Sequence, residues 1–180
     1  YSDLEFEAMQ EDVRTCRQLG APGVVLGLLK ADGSVDTERT ARLVDLAYPM
    51  EVTFHRAFDH CRDPLEAMEQ IIACGCSRIL TSGQAPAAQE GIELIKTLVE
   101  KSSQRIIIMP GSGIRARNLE QVARSSAASE FHSSAGTLSQ GNMQYTRAGF
   151  EKDKLIQLPD PAEVSAMKAI LAALPQEDLG

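Results

Sequence analysis

The chain has 180 residues, of which 43% are hydrophobic and 24% charged, and its formal net charge is −7. This length and composition predict a single globular domain over residues 1–180. The acidic balance argues against binding to nucleic acid or to an anionic membrane surface, because both need a basic field, and no apolar run is long enough to span a membrane.

The cysteines predict free thiols. Cys16, Cys61, Cys74 and Cys76 do not make a disulfide framework in a chain of this size. Cys74 and Cys76 are the only close pair, and we interpret them as buried small residues at a helix end rather than as metal ligands. Reduced thiols, with no export-signal pattern at the amino end, predict a cytoplasmic location.

Helical and extended patterns alternate along the chain. Apolar residues at helical spacing after Ser2 predict a first helix. Farther along the chain, the side chains and positions expected of helix caps occur at Asp36 or Thr37, at Asp63 and at Asn118. Five stretches have the apolar character of strands: Gly23–Leu29, Val52–Phe58, Arg78–Gly83, Arg105–Met109 and Glu130–Ser134.

The pattern changes after the fifth predicted strand. Residues 135–160 carry Gly, Ser, Asn and scattered charge with no steady hydrophobic period. They are predicted to form an irregular covering segment. Pro161 then begins a last amphipathic helix.

Strands that alternate with helices predict an α/β fold with parallel strands and right-handed helical crossovers. Two architectures fit this order: a doubly wound open sheet of five strands, or part of a TIM-type (β/α)8 barrel. A complete barrel takes about 250 residues and eight strand–helix units, so five units cannot close one.

Polar side chains and glycines follow the predicted strands at one end. Because parallel strands bring equivalent ends together, we expect these residues to share one rim, where parallel α/β proteins bind ligands. Two of the chain's three histidines are among them, which favours a functional rim. In chain order they are His55, Arg56, Asp59, Thr81, Ser82, Gly111, Ser112, Gly113, His132, Ser133 and Ser134.

A purely structural interpretation is also open for these residues. Arg56 and Asp59 can form an ion pair that ties neighbouring loops together, with His55 as a hydrogen-bonded core histidine. Gly111 and Gly113 can form a plain strand-to-helix turn. Alternatively, the amide groups of that turn can bind an anion together with the nearby hydroxyl side chains.

Four ordered motifs occur along the chain: Val52–Asp59, Arg78–Gly83, Met109–Ile114 and Glu130–Ala135. Together they resemble the CutC copper homeostasis family. The opening residues Tyr1–Asp3 also look like the family's segment just after its third strand, and the likeness extends to about Phe150.

The resemblance implies a cytosolic (β/α)8 barrel that is incomplete here, because this chain holds only what correspond to strands four to eight. It also implies a role in copper homeostasis, with copper as a possible ligand. The cysteines proposed to bind Cu(I) in the family lie in its first strands. No cysteine of this chain falls on those positions, so the resemblance transfers no metal ligand.

Two functions of different classes follow. The first is a copper homeostasis protein that binds or carries Cu(I), a soft ion that prefers sulfur ligands. The second is a barrel enzyme acting on a small anionic or phosphorylated metabolite. In that enzyme His55 is the acid–base group, Arg56 clamps the anion and Asp59 orients the clamp. Its anion-binding set is Thr81, Ser82, Gly111, Ser112, Gly113, His132, Ser133 and Ser134. A third interpretation is a non-catalytic remnant with a structural rim.

An incomplete parallel barrel exposes two strand edges and an apolar interior. We therefore expect the chain either to pair with another copy, forming a homo-oligomer, or to be part of a longer product. The expected partners are a small anionic ligand or Cu(I), and neither nucleic acid nor a membrane.

Overall fold

The computed structural model describes residues 1–150 and 155–175. The α-helices are α1 (Asp3–Gln18), α2 (Thr37–Ala47), α3 (Pro64–Ala73), α4 (Ile92–Ser102), α5 (Ala116–Ser126) and α6 (Pro161–Ala173). The strands are β1 (Gly23–Leu26), β2 (Glu51–Phe54), β3 (Arg78–Thr81), β4 (Ile107–Pro110), β5 (Gly136–Gln140) and β6 (Leu155–Pro159). A short 3₁₀ helix, Arg56–His60, follows β2.

The first four strands form one parallel sheet whose spatial order, β1-β2-β3-β4, follows the chain. Each helix from α1 to α4 packs against the next helix along the chain. A doubly wound sheet reverses its strand order and places helices on both faces, whereas a barrel segment keeps chain order beneath one row of helices. The arrangement is therefore that of a barrel segment, and its sheet is not closed.

The hydrophobic core lies between the sheet and this row of helices. Val52, Phe54 and Ile79 point towards the helices and are at most 1% exposed. Their neighbours in the strands, Thr53 and Leu80, point to the opposite face and are only half-buried. Fully burying a large apolar side chain stabilises a fold by about 1.5–3 kcal/mol, so the helix-covered face supplies most of the stability.

Side-chain caps fix where most helices begin. Asp36 accepts from the Arg39 amide, and Asp63 accepts from two amides at the start of α3, which confirms both predicted caps. The cap predicted at Asn118 is wrong, because α5 begins at Ala116. Asn118 lies inside the first turn and reaches back to accept from the Arg115 amide at 2.8 Å.

The fifth predicted strand, at Glu130–Ser134, does not join the sheet as a strand. The segment runs beside β4, where the His132 amide donates to the Pro110 carbonyl at 2.9 Å. The Ser133 hydroxyl donates to the Ile114 carbonyl and accepts from the Ala135 amide. These local side-chain bonds take the place of the ladder hydrogen bonds that a fifth strand would make.

The segment predicted to be irregular, residues 135–160, contains an antiparallel ribbon of β5 and β6. Leu138 in β5 is 66% exposed and Ile156 in β6 is 49% exposed. A ribbon without a buried face needs no alternation of apolar and polar residues, so its sequence lacks the period by which strands are recognised. Whether residues 1–180 form a single domain stays a prediction.

The outer edge of β1 has no neighbouring strand in the described part of the chain. Val25, in the middle of that edge, is 64% exposed. An unpaired strand edge favours association with another chain. Pairing with a second copy stays a prediction. Within residues 1–150 and 155–175, no helix is long and apolar enough to cross a membrane.

Candidate functional site

Asp59 is a buried acceptor at the end of β2. Its side chain is 5% exposed and accepts from the Thr81 hydroxyl at 2.5 Å. The amides of Ser82 and Gln84 donate to it at 3.0 and 3.2 Å. Arg56, three residues earlier in the 3₁₀ helix, donates from Nε at 2.7 Å. The carboxylate thus ties the 3₁₀ helix to the loop after β3.

The charge of Asp59 is stabilised by this set of donors. Burial by itself raises the pKa of the carboxyl, because desolvation disfavours the charged form. Hydrogen bonds from Thr81, Arg56, Gln84 and Ser82 outweigh burial, so the pKa of Asp59 lies below its ordinary value. Asp59 is therefore ionised at neutral pH, with its oxygens committed to protein donors.

Arg56 retains capacity to bind a ligand. Its Nη2 donates to the Ser82 hydroxyl at 2.9 Å, while its Nε is held by Asp59. The side chain is 45% exposed, and its Nη1 makes no hydrogen bond with the described residues. The arrangement fixes the guanidinium and leaves one edge open to solvent.

His55 lies on the β1 side of the rim. Its Nδ1 accepts from the Ala57 amide at 3.1 Å, which assigns the proton of a neutral imidazole to Nε2. A Cβ added to Gly27 would lie 2.5 Å from that Nδ1. A larger residue at position 27 would displace the imidazole ring. Gly27 therefore allows His55 to lie in this position.

A second group of predicted residues lines a cavity of about 200 Å³ at the end of β4. One wall is the loop between β4 and α5, and the other is the extended segment beside β4. The lining residues are Ser112, Gly113, Ile114, Arg115, His132, Ser133 and Ser134. Five of the seven are among the anion-binding residues predicted from the sequence.

The hydroxyl groups of this cavity differ in their availability. Ser112 Oγ donates to the Pro86 carbonyl at 2.9 Å, and Ser133 Oγ donates to the Ile114 carbonyl at 2.6 Å. Both therefore hold the walls in place. The side chains of His132 and Ser134 are exposed and make no hydrogen bond with the described residues, so they are open to a ligand.

Ile114 and Arg115 are the two lining residues outside the predicted set, and Arg115 is the charged one. It is half-buried immediately before α5, and no acidic side chain of the described residues pairs with its guanidinium. Most arginines with comparable burial pair with a carboxylate, as Arg78 does with Glu51 and Glu130. The cap predicted at Asn118 put the start of α5 too late. Arg115 was therefore assigned to a loop, and its place beside the cavity was not predicted.

Gly111 separates the two groups of residues. Its amide donates to the Thr81 carbonyl at 2.9 Å, which links it to the Asp59 side. A Cβ at Gly111 would lie 2.5 Å from Leu80 Cδ1 and 3.4 Å from His132 Cβ. Strands β3 and β4 lie between His55 and His132, and His55 does not line the cavity at the end of β4.

The described residues do not assemble a metal site. Among residues 1–150 and 155–175, no three histidine, cysteine, aspartate or glutamate side chains are grouped to hold an ion. Burial raises the pKa of Cys61 to about 11 and that of Cys76 to about 12, so both are protonated thiols rather than thiolates. Cys61 precedes α3 and Cys74 follows it, about 15 Å apart along the helix. Cys61 and Cys74 are therefore too far apart to bind one ion together.

The family model and the similar proteins all point to one family. The CutC family model matches residues 1–137. A CutC family protein of Chromobacterium violaceum is 53% identical over 149 residues, which is 83% of this chain and 60% of that protein. The human copper homeostasis protein cutC homolog is 44% identical over 145 residues, 81% of this chain and 53% of that protein. The chain thus spans little more than half the length of these relatives.

Solved structures agree on the architecture. The putative copper homeostasis protein CutC of Streptococcus agalactiae superposes with a TM-score of 0.70 and 33% identity, covering 73% of this chain and 65% of that one. The native KDPGal structure superposes with a TM-score of 0.56 at 17% identity, covering 92% of this chain and 66% of that one, and this likeness is one of fold alone. The predicted TIM-type barrel, incomplete here, is confirmed.

Proposed function

The chain belongs to the CutC family, and on that premise we propose that it binds a small phosphate- or carboxylate-bearing metabolite in the cavity after β4, as the substrate of a barrel-type enzyme. The observation that carries the proposal is Arg115, a half-buried residue that lines the cavity and whose guanidinium has no acidic partner among the described residues. A cation that is partly withdrawn from water gains from a paired negative charge, and a bound anion supplies that charge.

The other lining groups support the same ligand class. Gly113 has a φ of +75° and an exposed backbone, which lets an anion approach the amides of the turn closely. The Ser134 hydroxyl adds a free donor. A cavity of about 200 Å³ suits a small metabolite rather than a nucleotide.

We assign proton transfer to His132 in preference to His55. His132 is exposed and lines the anion cavity, whereas His55 is seated over Gly27 on the far side of β3. An imidazole within reach of a bound substrate can act as a general acid or base. Arg56, held by Asp59, is then a second cation on the same rim that can contact a longer substrate.

Binding of inorganic phosphate, measured by titration calorimetry, tests this proposal. Arg115→Met is expected to weaken binding about tenfold or more, because a charge-assisted hydrogen bond contributes about 1.5–3 kcal/mol. Arg117→Met is the matched control, since Arg117 is exposed in the first turn of α5, two residues after Arg115, and does not line the cavity. Equal affinities for the two variants would refute the assignment of Arg115, and a wild-type protein that binds no phosphate would refute the site.

Copper handling is the second candidate function. The human and Streptococcus agalactiae relatives are described as copper homeostasis proteins, and the four cysteines of this chain are free thiols, which also favours a cytoplasmic location. Cys74 and Cys76 are the thiols closest to each other along the chain.

Anaerobic titration with Cu(I) distinguishes this function from anion binding. Copper handling predicts one equivalent bound by the wild type and loss of that equivalent in the double variant Cys74→Ser, Cys76→Ser. Cys16→Ser, on α1, is the control and is expected to keep the ion. Unchanged binding in the double variant would exclude this pair as the copper ligands.

A further inference from the structure

We propose that the turn between β6 and α6, with Glu163 as its positioning residue, clamps the two walls of the anion cavity together. The two walls are the loop before α5 and the segment beside β4. The consequence for ligand affinity rests on the proposed function, whereas the clamp itself concerns only the protein and can be tested without a ligand.

Two hydrogen bonds from this turn reach the two walls separately. The Ala116 amide, next to Arg115, donates to Glu163 Oε1 at 2.8 Å. The Asp160 amide donates to the Ala135 carbonyl at 2.8 Å, directly after Ser134. One short segment of the chain therefore bonds the residue that directly follows each wall.

The turn is itself held in place. The Asp160 side chain accepts from the Ala162 amide at 2.9 Å and caps α6. Helix α6 packs against α5; its Met167 is 9% exposed, and Leu174 just beyond the helix is 6% exposed. The clamp is thus anchored through apolar contacts away from the cavity.

Glu163 is well placed to fix the start of α5. Its carboxylate lies in the first turn of α6 and bonds the first amide of α5, so it faces the positive end of two helices. Without it, the Ala116 amide loses its partner and the first turn of α5 is free to fray. Because Arg115 directly precedes that turn, fraying moves the guanidinium away from His132 and Ser134.

Amide hydrogen exchange of the unliganded protein tests the clamp. Glu163→Ala is expected to raise exchange at least fivefold in both residues 112–118 and residues 132–136. Glu163→Gln keeps an acceptor oxygen and is expected to restore slow exchange. Lys168→Ala, an exposed site on α6, is the control. A rise confined to one wall, or spread over the whole chain, would overturn the proposal.

Phosphate titration of the same variants separates this inference from the proposed function. We expect Glu163→Ala to weaken binding about fivefold and Glu163→Gln to stay within about twofold of the wild type. If Arg115→Met loses phosphate while Glu163→Ala keeps it, the clamp is wrong and the anion site stands. If the wild type binds none, the anion site falls and the exchange data alone decide the clamp.

Discussion

Asp59→Asn is expected to lower the free energy of unfolding by about 2–3 kcal/mol at pH 7, because a buried carboxylate with several donors is replaced by a neutral amide. The asparagine oxygen can still accept from Thr81 and Ser82, but its NH2 group meets the Arg56 guanidinium, which is itself only a donor. Urea denaturation of both proteins measures the difference.

The pH dependence of that difference identifies the charge as its source. The pKa of Asp59 in the folded state lies below its unfolded value, which is about 3.9 for an aspartate. Its contribution is therefore fully present above that pH and is lost as the pH falls through the folded pKa. The gap between wild type and Asp59→Asn is expected to stay constant from pH 7 to about 5 and to close on further acidification.

Asp32→Asn is the matched control for this experiment. Hydrogen bonds from Ser34 and the charge of Arg62 also lower the pKa of Asp32, but its side chain is 56% exposed. Solvent screens such pairs, so the loss of stability is expected to be much smaller than at Asp59. If the two substitutions cost the same, burial is not what makes the Asp59 interactions strong.

The architecture could be predicted because its signals are local. The helix starts at Asp36 and Asp63 depend on the capping side chain and its neighbours, so the sequence contains the whole interaction. The hydrogen bond from Thr81 to Asp59 could also be predicted. Parallel strands place equivalent ends at one edge of the sheet, and the chain has a carboxylate and a hydroxyl there.

The composition of the cavity could not be predicted in the same way, because it depends on contacts between distant parts of the chain. Glu163 meets Ala116 across 47 residues, and no periodicity links the two. Arg115 lines the cavity because of the direction of the chain between β4 and α5, and the sequence does not show that direction. That the two imidazoles share one mouth stays a prediction, and the sequence does not reveal that the ring of His55 lies against Gly27, just after β1.

Gly83→Ala is expected to destabilise the fold by about 3 kcal/mol or more, because a new Cβ would collide with backbone that cannot easily move. Gly83 has a φ of +71°, and its added Cβ would lie 2.2 Å from the Gly91 carbonyl oxygen. The two glycines hold the ends of the loop after β3 in contact. That loop supplies Ser82 to the Asp59 network and the Pro86 carbonyl to Ser112.

Gly20→Ala separates the collision from the backbone conformation. Gly20 has a similar φ, +75°, but a Cβ there meets nothing within 4 Å, so only the left-handed strain of about 1–2 kcal/mol applies. Thermal or urea denaturation of both variants yields the difference. A larger loss for Gly83→Ala, with weaker phosphate binding, means that close backbone packing of this loop maintains both the Asp59 network and the cavity wall at Ser112. Equal losses mean that the loop can shift at little cost and that the two groups of rim residues are held independently.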